Sequence, residues 1–595
     1  MLGERGAQRG LFEADHQYLE AVGADSFYGF LAKLRGKLFK DEDFARLYKK
    51  IGRPSVPPSL LATALLLQTY DRVSDEEAKR RADFDVCWKV ALGIAIEERP
   101  FAKSTLQFFR AQLVVNEEAG TIFRKSLGLA RERGFIVRNR KMRVALDTTN
   151  ILGRGAVKDT YNLLGDGIVL VLRQFAKLAV ETLEQSAEGR GLSSYVSGRS
   201  LKGEAELDWD NRKERTRLLR GIVADADRLL AEVREVRAGL AEGGAEDAAL
   251  TKAADILSQV LLQDIERSEE GPELHDGVAK DRMPSAHDPE MRHGRKSAQK
   301  RFDGHKAQIA VDTESQLIVA VDVLAGNAPD NTGALAMVKE AEQNIDGEVA
   351  ETVADCAYGD GATRKEFADA GRELFAKVPA MVNRGRFPKT DFVINLDETT
   401  CLCPAGEKGV ANYSRPTEES KERTLRGFRF AVEQCAPCPL RPQCVGGQGG
   451  RSIAVHPQEA LLQKARAFQQ SPDFRPYKLS RQVVEHRLAR LVQLGLRQAR
   501  YVGRAKTLFQ LIIAATVANL TLLAGHARRE KDILESSNGS FRFILVLVAL
   551  YSLVRRPLGP QNDQRVRPVP RIASNSTSLG STFLPFQTAV SRPNF

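Results

Sequence analysis

The stretch "MRVALDTTNILGRGAVKDTYNLL", residues 142–164, decides the fold. Its opening, with Lys141 before it, alternates apolar side chains over a few residues and reads as a short strand; Asp147 stands at its tip, followed by two threonines and a glycine-punctuated basic loop. What an aspartate does at the end of such a strand depends on which other groups reach the same edge.

Downstream, "RFDGHKAQIAVDTESQLIVAVDVLAG" (301–326) predicts two strands joined by a polar turn at Glu314-Ser315, an antiparallel hairpin. The helix "NTGALAMVKEAEQNI" and a fourth strand, "ETVADCAYGD" (351–360), come next. A further helix, "GATRKEFADAG", leads to a fifth short strand, "ELFAKVPA" (373–380). Three strands and then strands alternating with helices describe a mixed five-stranded α/β sheet. Between the first strand and the hairpin lies a helical insertion, about residues 165–290. Within it Leu219, Ile222, Ala226, Leu229, Val233, Val236 and Leu240 alternate steps of three and four, and "TKAADILSQVLLQDI" (251–265) follows an "EGGAED" turn. That pattern predicts a helical hairpin, either plain padding or a surface that binds a partner or clamps DNA.

Upstream, "SFYGFLAKLRGKL", "PPSLLATALLLQTY" and "AGTIFRKSLGLARERG" carry apolar residues at helical spacing, with Pro57-Pro58 at a helix start. Residues 1–138 are therefore expected to form an all-helical N-terminal domain, assigned to DNA binding, with Cys87 and Trp88 in its packing, and residues 139–525 the mixed-sheet domain. From 526 to 595 the composition changes again, and its Pro, Ser, Asn and Arg content after 556 fits a tail without a fold.

With 595 residues, 43% hydrophobic and 28% charged, the chain can bury real cores in more than one domain. A net charge of +11 favours a polyanionic partner, although charge alone does not separate nucleic acid from a membrane. The first residues, "MLGERGAQRGLFEADHQ", lack the apolar core of a secretory signal, so a cytoplasmic protein is expected. Two apolar runs, 508–525 and 541–554, read as packed segments: the first holds Gln510 and Asn519, and the second is too short for a bilayer of about 30 Å. No membrane association is expected.

If the first and fourth strands are parallel neighbours, Asp147 and Asp355 emerge at one sheet edge. Two acids held so close repel each other unless a divalent cation sits between them, and hard oxygen ligands select Mg²⁺ or Mn²⁺. Residues 475–506 carry nine Lys or Arg and a single acid, Glu485, with Arg481 one turn before it. Three carboxylates in a basic surround describe two-metal phosphoryl transfer on a nucleic-acid backbone. The run "RHGRKSAQKRFDGHK" (292–306), with six Lys or Arg against one acid, adds Arg295, Lys296 and Lys306 as candidate DNA contacts; His293 and His305 read as polar neighbours of the site and not as ligands.

Together with "RPSVPPSLLATALLLQ", "DPEMRHGRKSAQKRFDGHKAQIAVD", "VADCAYGD" and "RQVVEHRLARL", these motifs resemble bacterial insertion-sequence transposases of the DDE class over about residues 1–525. The resemblance implies a ribonuclease-H-like core with Asp147, Asp355 and Glu485 as catalytic ligands of two Mg²⁺ or Mn²⁺ ions. It implies cleavage at transposon ends, strand transfer of the freed 3′-hydroxyl into target DNA, and a homodimer on the terminal inverted repeats. In the common third motif two residues separate the tyrosine from the arginine and six separate the glutamate from a lysine; here three residues separate Tyr477 from Arg481, and Val492 replaces the lysine. Arg481 and Glu485 keep their spacing, and Arg490 is the candidate substitute for the lysine. A transposase-derived DNA-binding protein without catalysis, or a simple metal-dependent nuclease, are the alternative readings.

Five of the seven cysteines lie between 401 and 444, in "CLCPAG" and "CAPCPLRPQC". Cys403, Cys435, Cys438 and Cys444 have the spacing of two short knuckles, which suits a tetrahedral thiolate site for structural zinc; Cys401 competes with Cys403 for the first place. Reduced thiols without a metal are the alternative.

Overall fold

The computed structural model describes residues 1–5, 14–137, 140–198, 200–297, 299–414 and 424–554, with backbone alone for 15, 16 and 530–554. Residues Met1–Arg529 form one compact unit and Glu530–Phe595 a second.

Val144, Ala145 and Leu146 are fully buried, and around them the chain builds the central strand of a six-stranded sheet. The strands are β1 (Met142–Leu152), β2 (Arg292–Arg295), β3 (Arg301–Asp312), β4 (Ile318–Ala325), β5 (Val349–Val353) and β6 (Glu373–Phe375). Their order is β4-β3-β1-β5-β6: β3 and β4 form the expected antiparallel hairpin, while β5 and β6 run parallel to β1 on its other side. The five expected strands are present. The sixth, β2, pairs with the first residues of β3; "RHGR" has no apolar alternation to announce it and enters the sheet through backbone pairing alone. Gly304 makes the junction possible: its φ is +154°, and a Cβ there would lie 2.1 Å from the Ile151 carbonyl oxygen.

The insertion has its own core. Helices Arg212–Ala238 and Ala245–Asp264 form the expected hairpin, with Leu219, Ile222, Ala226, Leu229 and Val233 buried and Val236 and Leu240 only partly so. A third long helix, Thr160–Ala179, packs against both, so the end of the opening stretch is helix where a loop was expected. Asp159 starts it, its carboxylate accepting the N–H groups of Tyr161 at 3.1 Å and Asn162 at 3.2 Å.

Seven α-helices occupy Ala14–Glu132, and Pro57-Pro58 does begin one, Pro58–Asp71, nearly all of whose residues are buried. Trp88 is buried and donates its indole N–H to Asp71 at 2.7 Å, whereas Cys87 is only half-buried. These helices share one continuous apolar core with the sheet. Asp75 links them to the chain beyond the Glu485 helix, accepting from Arg110 at 2.9 and 2.7 Å and from Arg500 at 3.0 Å.

Residues 508–525 lie in a helix beginning at Arg504, long and apolar enough to cross a membrane by length and composition. Its residues are core residues here: Leu511, Ala515, Val517, Ala518, Leu520 and Leu523 are fully buried, and the Asn519 amide bonds both the N–H and the C=O of Ile318. Residues 530–554, within the span from 526 expected to be a tail and including the apolar run 541–554, have a helical backbone. Residues 555–595 lie outside the described residues.

Candidate functional site

Strand register brings the first two acids together. Ala145 on β1 lies opposite Val353 on β5, so Asp147 and Asp355 each stand two residues further along neighbouring parallel strands, which are about 4.8 Å apart. Asp147 remains in the ladder, opposite Ile309 of β3. Asp355 has left its strand, and its Oδ1 accepts the Ala357 N–H at 2.9 Å, capping the turn Cys356–Tyr358. Glu485 arrives on the first turn of the helix Gln482–Leu491, which packs against β1 and β3 with Val484, Leu488 and Leu491 buried.

All three predicted carboxylates line one cavity of about 560 Å³, together with Arg295, Lys296, Lys306, Asp330 and Arg497. The Asp147 side chain is only 18% exposed. Burial pushes its pKa up, the Thr148 N–H opposes this, Asp355 raises it again, Arg481 lowers it and Glu485 raises it, leaving the carboxyl at about 6. Arg481 forms the expected pair with Glu485, Nη2 donating to Oε1, and also places Nη1 3.5 Å from Asp147 Oδ2. One guanidinium therefore spans two of the three acids.

Among the described residues, no three His, Cys, Asp or Glu side chains converge closely enough to hold a metal ion as they stand. The donor set still suits a hard divalent cation: it is all oxygen, one member is held at a raised pKa, and a cationic group already bridges two members.

The predicted DNA contacts divide. Arg295 and Lys296 are exposed at the cavity and have no acidic partner among the described residues. Lys306 lines the cavity and donates to Asp330 Oδ1 at 2.7 Å and the Ala328 carbonyl at 2.6 Å, so its charge is paired within the protein. Arg490 lies off the cavity and donates to Gln493 at 3.3 Å, while Val492, at the missing lysine's position, lines the cavity. His293 bonds Asp303 at 2.5 Å, and His305 is fully buried with Nε2 3.9 Å from Oδ2 of the equally buried Asp288. Neither histidine lines the cavity.

Two contributors were missed by sequence reasoning. Arg497, which donates to Asn150 Oδ1 at 2.6 Å and to the Asn150 carbonyl at 3.2 Å, ties the end of β1 to the segment after the Glu485 helix. It stood in the same basic run and could have been singled out. Asp330 lies in a polar loop with no pattern to mark it.

The cysteines gather elsewhere, on a small lobe between β6 and the Glu485 helix. It is built on the strands Val410–Tyr413, Leu425–Arg429 and Ser452–Ala454 and the pair Val393–Asn395 and Thr400–Leu402. Cys403, Cys435, Cys438 and Cys444 are half-buried free thiols, and Cys401 is fully buried.

Residues 402–524, which include the Glu485 helix, match the family model described as a transposase DDE domain, and residues 17–112 match the one described as a transposase domain (DUF772). No curated protein and no solved structure matches the chain. Transposase-family sequence thus stands at both ends of the Met1–Arg529 unit, consistent with an insertion-sequence transposase of the DDE class.

Proposed function

We propose that the chain is a DNA transposase that cleaves at the ends of its transposon and transfers the freed 3′ ends into target DNA. Asp147, Asp355 and Glu485 are its acidic triad, on a ribonuclease-H-like core. The observation that carries this reading is that three acids far apart in sequence line one cavity with Arg295, Lys296 and Arg497, none of which has an acidic partner among the described residues. The strand order, with one antiparallel hairpin beside three parallel strands, supports the same core.

The three carboxylates would hold two Mg²⁺ or Mn²⁺ ions, which when bound supply activation of an attacking oxygen and charge stabilisation at a phosphodiester. The chain's own residues do the rest. Arg295 and Lys296 take the DNA backbone by phosphate contacts, which makes binding weaken with salt. Arg497 and Asn150 fix the end of β1, so that Asp147 keeps its orientation. Arg481 holds Glu485 against Asp147 and must yield part of that contact when a metal competes for the same oxygens. The protein acts on DNA in the cytoplasm, as a homodimer, since two transposon ends must be joined.

The test is cleavage and joining of DNA carrying the repeats that flank the gene. Asp147→Asn is expected to abolish both while leaving DNA binding in place; cleavage as fast as the unsubstituted chain's would overturn the assignment. Cleavage without joining would mean a nuclease.

A further inference from the structure

The lobe between β6 and the Glu485 helix is poorly supplied with apolar packing. Among the described residues its buried core is Phe392, Cys401, Phe428, Phe430 and Ile453. Segments of this size with so few buried groups need a staple of disulfides or metal. Every cysteine in the chain is a free thiol, so no disulfide supplies it.

The backbone presents the thiols in short turns. Cys403 opens one: its N–H donates to the Glu407 carbonyl at 2.9 Å, its carbonyl accepts from Gly406 at 2.8 Å, and Gly406 takes the left-handed φ of +85° that the turn requires. Cys435 and Cys444 each end a short helix, and Cys438 follows Cys435 in a turn with N–H to carbonyl at 3.4 Å. Cys403, Cys435 and Cys444 pack on the edge of the small core. Cys401 is absent from that group. It is fully buried inside the small core and not on its edge.

We infer that Cys403, Cys435, Cys438 and Cys444, and not Cys401, bind one structural zinc ion that clips this lobe together. Neutral thiols have no attraction to draw them to ligand spacing; zinc supplies it, at a sulfur–metal distance of about 2.3 Å. Each thiol releases its proton to solvent as its sulfur bonds to the ion, four protons per zinc. The clip stands between β6 and the helix carrying Glu485, and it is independent of the proposed triad.

The experiment uses the full chain expressed with zinc and purified under reducing conditions. The expected metal content is about one zinc per chain, retained in Cys401→Ser and in Asp147→Asn and lost in Cys403→Ser or Cys438→Ser. Exchange of the unsubstituted chain into cobalt counts thiolates from its charge-transfer absorption without depending on the folding of any variant, and four are expected. Zinc well below one per chain, fewer than four thiolates, or loss from Cys401→Ser with retention in Cys403→Ser would overturn the inference. Asp147→Asn separates the two readings: failure of the triad leaves zinc untouched, and failure of the clip leaves metal-dependent cleavage to be judged alone.

Discussion

The carboxylate cavity and the cysteine lobe both gather potential metal donors, but on very different supports. The cavity rests on β1, β3 and β5, whose side chains belong to the large core shared with the N-terminal helices. The lobe rests on five buried residues among those described. A site on the first kind of support can hold repelling carboxylates in place, because the apolar burial around them pays for the strain. On the second kind, the ligands and their ion must themselves supply the stability. The carboxylates therefore suit an exchangeable ion, and the thiols suit a resident one.

Loss of a carboxylate should cost the most in function. Asp147→Asn is expected to reduce cleavage by at least about 10²–10³-fold, the scale on which single electrostatic groups act in such transition states, with the fold unchanged by circular dichroism. If the same variant unfolds instead, the contrast with the lobe fails.

The largest expected effect on stability lies in the shared core. Burial would raise the Asp75 pKa, but Arg110, Gln107 and Gln68 hold the carboxyl far below its usual range. Asp75→Ala strands Arg110, which is 11% exposed, and should cost about 3–5 kcal/mol in urea denaturation. Zinc content should be unaffected, since the lobe has its own support.

A smaller effect separates the cavity by pH. With Asp147 raised to about 6, the folded protein holds a proton that the unfolded chain has released, so stability falls as pH rises from about 4 to about 6. The loss is about 2–3 kcal/mol at neutral pH, and Asp147→Asn should remove it, making the variant the more stable protein in metal-free buffer at pH 7. Mg²⁺ should restore the difference above pH 6 and lose that power below it, since proton and metal compete for one carboxylate. Denaturation at pH 4.5 and pH 7, with and without Mg²⁺, checks the sign.

The smallest effect falls outside both sites. Asp159→Ala removes the cap of the helix Thr160–Ala179 and should cost about 1 kcal/mol, measured by thermal melting, without altering zinc content or cleavage. A larger effect on cleavage would mean that the insertion helps to hold the end of β1.

Much of the architecture was legible because periodicity and turn residues act locally. The alternation in residues 301–326 specified a hairpin, and the seam from Leu219 to Val233 specified a helix face. The helix Thr160–Ala179 escaped because its first turn is polar and begins directly after a glycine-rich loop. The strand β2 escaped because it joins the sheet by backbone hydrogen bonds, which leave no mark on side-chain pattern. Lys306 showed the same limit in the site: its charge was plain in the sequence, its partner Asp330 was not.

Sequence alone determined which residues carry the acids, thiols and cations, and which segments must be strand or helix, since side-chain chemistry and short-range periodicity are properties of the chain. Only the tertiary structure decided which of them meet. The parallel register of β1 and β5 set Asp147 beside Asp355, helix packing brought Glu485 to the same cavity, and burial in a small core set Cys401 apart from its neighbours. Such meetings depend on burial and pairing between distant segments, which no local pattern encodes.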